Sequence, residues 1–295
     1  MHGIVPSLNT PFNAAGELDL YSLSNLVDHS VIAGCGGMLG LAVAGEQNRL
    51  TLKEKINFID LVVNKNDGRI PFICSVTSSS FADSIKLTKV ARSAGADGIC
   101  IQLPSNLDRF GKERFLEKID KESPDILMIQ DLDWTGGGLS LDEITSFFDQ
   151  FEKFNWLKIE TPQAGIKYSA VLDATAKKLN VCGGWAVTQL LDALARCVNA
   201  FIPTGIEVVY VKIYDAYNND DKEKARLLFE EILPVLNFSN QNIATSIRFF
   251  KNLRVLEGLF ESNYCREASA VFDAIQAREA EFATTRALKL ISEYS

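Results

Sequence analysis

Short apolar, β-branched runs alternate eight times with amphipathic stretches, and this pattern predicts an α/β chain folded as a (β/α)8 TIM barrel with a C-terminal all-helical extension. The runs are close to continuously apolar, as parallel strands covered on their outer face must be. No G-x-G-x-x-G follows the first run, which argues against a doubly wound open sheet. After Thr204 the strand-like runs cease and only helical spacing remains.

Taken in order, strands are expected at 3–9, 37–42, 71–76, 98–103, 126–131, 156–160, 180–184 and 199–204. Helical spacing marks 20–33, 53–63, 81–95, 141–151 and 187–197 between them. Gly34, Gly68 and Gly95 stand at or just past helix ends, where left-handed caps favour glycine. Further helices are expected at 206–219, 221–234, 237–256 and 276–291, broken by Asn218-Asn219-Asp220-Asp221 and by Pro234. The barrel is assigned to 1–222 and the helical extension to 223–295. Leu227, Leu228, Ile232, Leu233 and Leu236 suit either packing on the barrel or a subunit interface.

The 295 residues are 47% hydrophobic and 23% charged, the composition of an ordinary globular protein. With 30 Lys+Arg against 38 Asp+Glu, the net charge of −8 makes the chain a poor binder of phosphate backbones. No apolar run approaches the roughly 18 residues of a membrane-spanning helix. The start, MHGIVPSLNTPF, lacks the basic and apolar stretches of a signal peptide. A cytoplasmic protein with no nucleic-acid or membrane partner is therefore expected. The six cysteines form no C-x-x-C pair, and His2 and His29 are the only imidazoles. A zinc site or a Ser/His/Asp triad thus lacks its raw material, and no metal is expected. His29 lies within a helical pattern and reads as structural. Chemistry falls to Lys, Asp/Glu, Tyr, Ser/Thr or the backbone.

Lys158, in NWLKIE, is the most informative residue. A lysine within an apolar strand either snorkels outward or projects into a site at the strand's C-terminal end. Partial desolvation among Trp156, Leu157 and Ile159 is expected to lower its pKa, as imine formation requires. The competing reading is a strand-end lysine that merely pairs with Glu160. Glu160 lies two residues on and hence on the same strand face, as an ion-pair partner or as a proton-transfer group. In GLAVAGEQNRL (40–50), a small-residue loop after a strand leaves backbone N–H groups to hold an anion. Glu46 either holds that loop in place or takes part in binding. Gln130 and Asp131 end the fifth strand near the barrel mouth, followed by a Gly136-Gly137-Gly138 loop. The last two strands end in NVCGGWAV and NAFIPTG, where Gly183, Gly184 and Ile202 suit close approach of a ligand.

Taken together, these segments resemble the N-acetylneuraminate lyase/dihydrodipicolinate synthase superfamily of class I, Schiff-base-forming barrel enzymes. GIVPSLNTPFNAAGELD resembles the opening strand and loop, and GLAVAGEQNRLTLKEK the carboxylate-binding loop. AGADGICIQLP resembles the strand-four signature, WLKIE the strand bearing the imine-forming lysine, and CVNAFIPT the last strand. The resemblance implies that Lys158 forms a Schiff base with pyruvate or another small 2-keto acid, without a cofactor. It also implies homo-oligomers, dimers or tetramers, and Val43 and Ala44 as backbone donors to the substrate carboxylate.

The departures are informative. The family's strand-five Tyr-Asn-x-Pro reads Gln130-Asp131-Leu132-Asp133, its Pro-Tyr-Tyr reads Pro104-Ser105-Asn106, and its Thr-Thr pair reads Val43-Ala44. No tyrosine occurs between Tyr21 and Tyr168, so a tyrosine proton relay is not expected. The combination of Gln-Asp on strand five with Lys-x-Glu on strand six is closer to the branch containing 2-keto-3-deoxy sugar acid dehydratases. The reading is a lyase acting by dehydration or retro-aldol cleavage, with Lys158 as electrophilic catalyst, Glu160 as acid/base, and Gln130 and Asp131 contacting substrate hydroxyls. The alternatives are a pyruvate-dependent aldolase or synthase of the family type, or a catalytically idle keto-acid-binding protein.

Overall fold

The computed structural model describes residues 1–184 and 188–295. The fold is the (β/α)8 barrel followed by helices that the alternation predicts. The strands are β1 (Gly3–Ile4), β2 (Met38–Gly40), β3 (Phe72–Ser75), β4 (Gly98–Gln102), β5 (Ile126–Leu132), β6 (Phe154–Glu160), β7 (Asn180–Gly183) and β8 (Ala200–Phe201). Residues gather in two compact units, one of 1–2 and 71–202, the other of 3–70 and 203–295.

The first unit carries β3 to β8, each strand pairing parallel with the next. Helices α3 (Phe81–Ala94), α4 (Arg109–Glu122), α5 (Leu141–Gln150), α6 (Ala164–Ala174) and α7 (Leu190–Ala195) connect them. Ser80, Asp108 and Ser140 cap α3, α4 and α5 by accepting from backbone amides of the first turn. The strands bury Ile99, Leu127, Ile129, Leu157, Ile159 and Val181 completely, which is why these runs carry no polar alternation. Strand register sets Gln102 opposite Gln130, Gln130 opposite Lys158, and Lys158 opposite Cys182, a single polar rung across four strands. The expected strand at 199–204 is cut to Ala200–Phe201, ahead of Pro203, which has no ladder donor. The helix predicted over 187–197 is observed as Leu190–Ala195, and its predicted first residue, Val187, lies outside the described residues.

The second unit carries β1, β2, α1 (Leu20–Ile32), α2 (Leu52–Asn66), α8 (Glu207–Asn218), α9 (Lys222–Ser239), α10 (Ile243–Leu256) and α11 (Ala274–Tyr294). β1 is much shorter than 3–9 because Pro6 removes a donor; Ser7 instead makes an isolated bridge to Leu39. Pro234 does not break the chain as expected but lies inside α9. One backbone bond is lost there, and burial of Ile232, Val235 and Leu236 offsets it. The predicted 237–256 helix instead starts at Ile243, where the Asn242 side chain accepts from the Thr245 amide at 2.9 Å. Leu228, Ile232 and Leu236 are buried, whereas Leu227 and Leu233 are exposed.

Candidate active site

Period-two geometry on β6 brings Lys158 and Glu160 to the same face, and both are buried. Lys158 Nζ lies 2.9 Å from Glu160 Oε2. The same carboxylate oxygen accepts a short hydrogen bond from Gln130 Nε2 on β5. Gln130 Oε1 in turn accepts from Gln102 Nε2 on β4 at 3.0 Å. An ionised carboxylate only accepts, so it fixes the direction of both amides along the chain Gln102, Gln130, Glu160. Thr77 Oγ1 accepts from the Gln102 backbone N–H at 3.0 Å and so holds the residue at the outer end of this chain.

The electrostatics correct one expectation. Burial alone would lower the Lys158 pKa, but the groups around the amine, the Glu160 carboxylate foremost, together hold it above its ordinary range. Lys158 therefore rests as an ammonium. Cys100 and Cys182 flank it as neutral thiols, because burial pushes Cys100 up to about 12 and Cys182 well above the usual thiol range. They supply no competing charge at neutral pH, so Glu160 is the operative partner.

Gly184 makes room for this pair. A Cβ there would overlap the Glu160 carboxylate and the Lys158 Cε, so only glycine fits beside them. Gly183 pairs with Ile159 on β6 and Phe201 on β8, and its carbonyl accepts from the Ile202 amide at 2.8 Å. Gly183 and Ile202 are buried through backbone pairing.

Asp131 is drawn away from the Lys158–Glu160 pair into its own network. Its carboxylate accepts from Lys167 Nζ at 2.5 Å and from the Leu139 amide at 2.8 Å. Lys167 also donates to the carbonyls of Gly137 and Leu139, at 2.5 and 2.7 Å. Burial nonetheless pushes the Asp131 carboxyl upward, against the lowering effect of Lys167. Within the triple-glycine loop, Asp133 accepts from the amides of Thr135, Gly136 and Gly138. Beside Gln102 and Gln130 lies a cleft of about 1090 Å3, bounded by the segments after β3, β4 and β5.

In the second unit, Val43–Gly45 form a 3₁₀ turn whose first amides, Val43 and Ala44, have no acceptor within the turn itself. Thr10 Oγ1 donates to the Gly45 carbonyl at 2.6 Å, and Asn9 Nδ2 to that of Ala44 at 3.1 Å. Glu46 adopts a left-handed backbone (φ 54°), and its buried carboxylate pairs with Lys251 and accepts from the Glu267 amide at 2.6 Å. Those bonds hold the loop in place. His29 meets Glu207 at 3.3 Å, and Glu207 also pairs with Arg254.

Gln102, Lys167 and Lys251 were not singled out from the sequence. Gln102 carried a faint signal, a polar residue ending the apolar strand GICIQ. Lys167 and Lys251 carried none, since each sits in a helix whose long-range partner is unknown until the chain folds. Among the described residues, no group of three or more His, Cys, Asp or Glu is placed to hold a metal ion. No described helix is long and apolar enough to cross a membrane.

The Dihydrodipicolinate synthetase family model matches residues 1–281. The chain belongs to this family. Relatives include the 4-hydroxy-tetrahydrodipicolinate synthases of Bacillus velezensis, 35% identical over 101 residues, and Pseudomonas aeruginosa, 36% identical over 102. Each match covers about a third of this chain and about a third of the relative's length (34% and 35% for the first, 35% and 35% for the second). Over nearly the whole chain, the fold is similar to a dihydrodipicolinate synthase from Rhodopseudomonas palustris, with TM-score 0.88, 19% identity and 97% of each chain covered. It is equally similar to a sialic acid aldolase from Ruminococcus gnavus, with TM-score 0.90, 15% identity, and 100% and 99% covered. This member of the family carries Gln130, not a tyrosine, in register with its strand-six lysine.

Proposed function

We propose that this family member is a lyase that forms a Schiff base between Lys158 and a small 2-keto acid, most consistent with dehydration of a 2-keto-3-deoxy sugar acid. The observation that carries the reading is the buried Lys158–Glu160 pair at 2.9 Å, with Gln130 bonded to the same carboxylate oxygen. Transfer of one proton from Nζ to Oε2 yields the free amine. The amine adds to the C2 carbonyl, and the resulting hydroxyl leaves as water with the proton held by Glu160. The iminium makes the C3 proton acidic, and the regenerated Glu160 carboxylate removes it. The enamine then expels the C4 hydroxyl, which takes the same proton and leaves as water. In the unsaturated iminium a C5 proton then moves to C3 and the resulting C5 enol ketonises, its O–H proton passing to C4; hydrolysis of the iminium frees the 2,5-dioxo acid and Lys158. Val43 and Ala44 are proposed as amide donors to the substrate carboxylate.

The family's tyrosine-based relay has no counterpart at Gln130, which supports a carboxylate as the proton carrier. Retro-aldol cleavage uses the same lysine and remains the second reading, favoured by the single acid/base group, which serves equally to deprotonate a C4 hydroxyl. Borohydride reduction in the presence of pyruvate or 2-keto-3-deoxypentonate is expected to add the acid's mass at Lys158. No adduct with any 2-keto acid overturns the proposal. Release of pyruvate from the pentonate indicates cleavage, and a 2,5-dioxo acid semialdehyde indicates water loss. Exposed Leu227 and Leu233 on α9, with Ile275 and Phe282 on α11, support a homo-oligomer, which light scattering tests directly.

A further inference from the structure

The cleft beside the amide chain carries an inference that rests on the proposed reading and deepens it. Among the described residues, its charged lining groups are already engaged. Lys112 pairs with Glu143 at 2.7 Å, Asp131 with Lys167 at 2.5 Å, and Asp133 with three backbone amides. What the cleft offers a ligand is therefore neutral hydroxyls and amides, among them Ser105, Asn106 and Gln102. Such a surface suits hydroxyl groups and offers no uncompensated cation to a second carboxylate or a phosphate.

Gln102 is the link between this cleft and the reacting pair. Its Nε2 is committed to Gln130, in the direction dictated by the Glu160 carboxylate, so Oε1 is the acceptor this side chain has left to present. Gln102 is only part-buried and lines the cleft. We propose that Gln102 is a specificity-determining residue: its Oε1 accepts a hydrogen bond from a hydroxyl on the substrate carbon chain beyond the imine carbon, and the cleft takes the neutral, polyhydroxylated end of that chain. A site built to bond a hydroxyl rejects the analogue that lacks it, because its polar group is left unpaired.

The test is the concentration dependence of borohydride trapping in wild type, Gln102→Met and Gln102→Asn, with urea melts to establish that each variant is folded. For 2-keto-3-deoxypentonate, the half-saturating concentration is expected to rise about tenfold in both variants, the effect of losing one hydrogen bond in a partly buried site. For pyruvate, which has no hydroxyl, the rise is expected to be clearly smaller, reporting only the lost bond to Gln130 Oε1. A 2-keto-3-deoxy acid phosphorylated at its far end is expected to bind wild type more weakly than its unphosphorylated counterpart. An unchanged pentonate value, an equal rise for both acids, or tighter binding of the phosphorylated acid overturns the assignment while leaving the imine reading intact. A wild-type protein that forms no adduct with either acid overturns both.

Discussion

Lys158 and Glu160 stand two residues apart on one strand, and their charged ends meet at 2.9 Å in a buried setting. The lysine is thereby held as an ammonium, and the group that holds it is also the group that can take its proton. One carboxylate is thus the counter-ion and, on the proposed mechanism, the base.

Replacing that carboxylate separates the two roles. Glu160→Gln removes the foremost cause of the upward shift at Lys158, so burial then lowers the amine's pKa. The pH at which pyruvate trapping is half-maximal is expected to move to lower values than in wild type. Turnover of a hydroxylated substrate should fall by about 10²–10⁴-fold, the usual contribution of a general acid/base. A pH series of borohydride trapping beside a turnover assay measures both.

Gly184→Ala tests the space around the pair. The added Cβ overlaps Glu160 and Lys158 Cε, so one or both must move. Overpacking of this kind costs about 1–3 kcal/mol, and we expect a lowered melting temperature together with loss of imine formation. Wild-type trapping in this variant would contradict the geometry.

Lys167→Met should strand the buried Asp131 carboxylate and release the carbonyls of Gly137 and Leu139. Removing one partner of a buried pair costs about 3–5 kcal/mol, and this pair, with Asp131 buried and Lys167 partly exposed, should fall at the lower end. The double variant Asp131→Asn/Lys167→Met should recover part of the loss, because no charge is then left unpaired. Urea melts of the three proteins, with limited proteolysis of the 133–140 loop, decide the matter.

Glu207 sets an acid limit to stability. Burial alone would raise its carboxyl, but Arg254 and His29 hold it well below the usual carboxylate range. A carboxyl depressed in the folded state stabilises the fold above its unfolded pKa of about 4.3, and that contribution is lost as pH falls toward the folded value. Wild type should therefore weaken steadily below about pH 4.3, whereas Glu207→Gln, about 3–5 kcal/mol less stable at pH 7, should show a flatter dependence there. Denaturant melts at pH 7 and pH 3 give both slopes.

The sequence by itself determined the barrel, the strand carrying Lys158 and the placement of Lys158 and Glu160 on one face, because strand periodicity is local and puts residues two apart on the same side. It also put Gln130 and Asp131, not a tyrosine, on strand five. What it left open were partners distant in the chain. The Gln102–Gln130–Glu160 chain depends on the register between neighbouring strands, which no single strand encodes. Lys167 reaching Asp131 and Lys251 reaching Glu46 depend on helices folding back over the loops that they hold. The direction of the Lys158 shift belongs to the tertiary structure for the same reason: burial and a close carboxylate oppose each other, and only their distances decide which prevails.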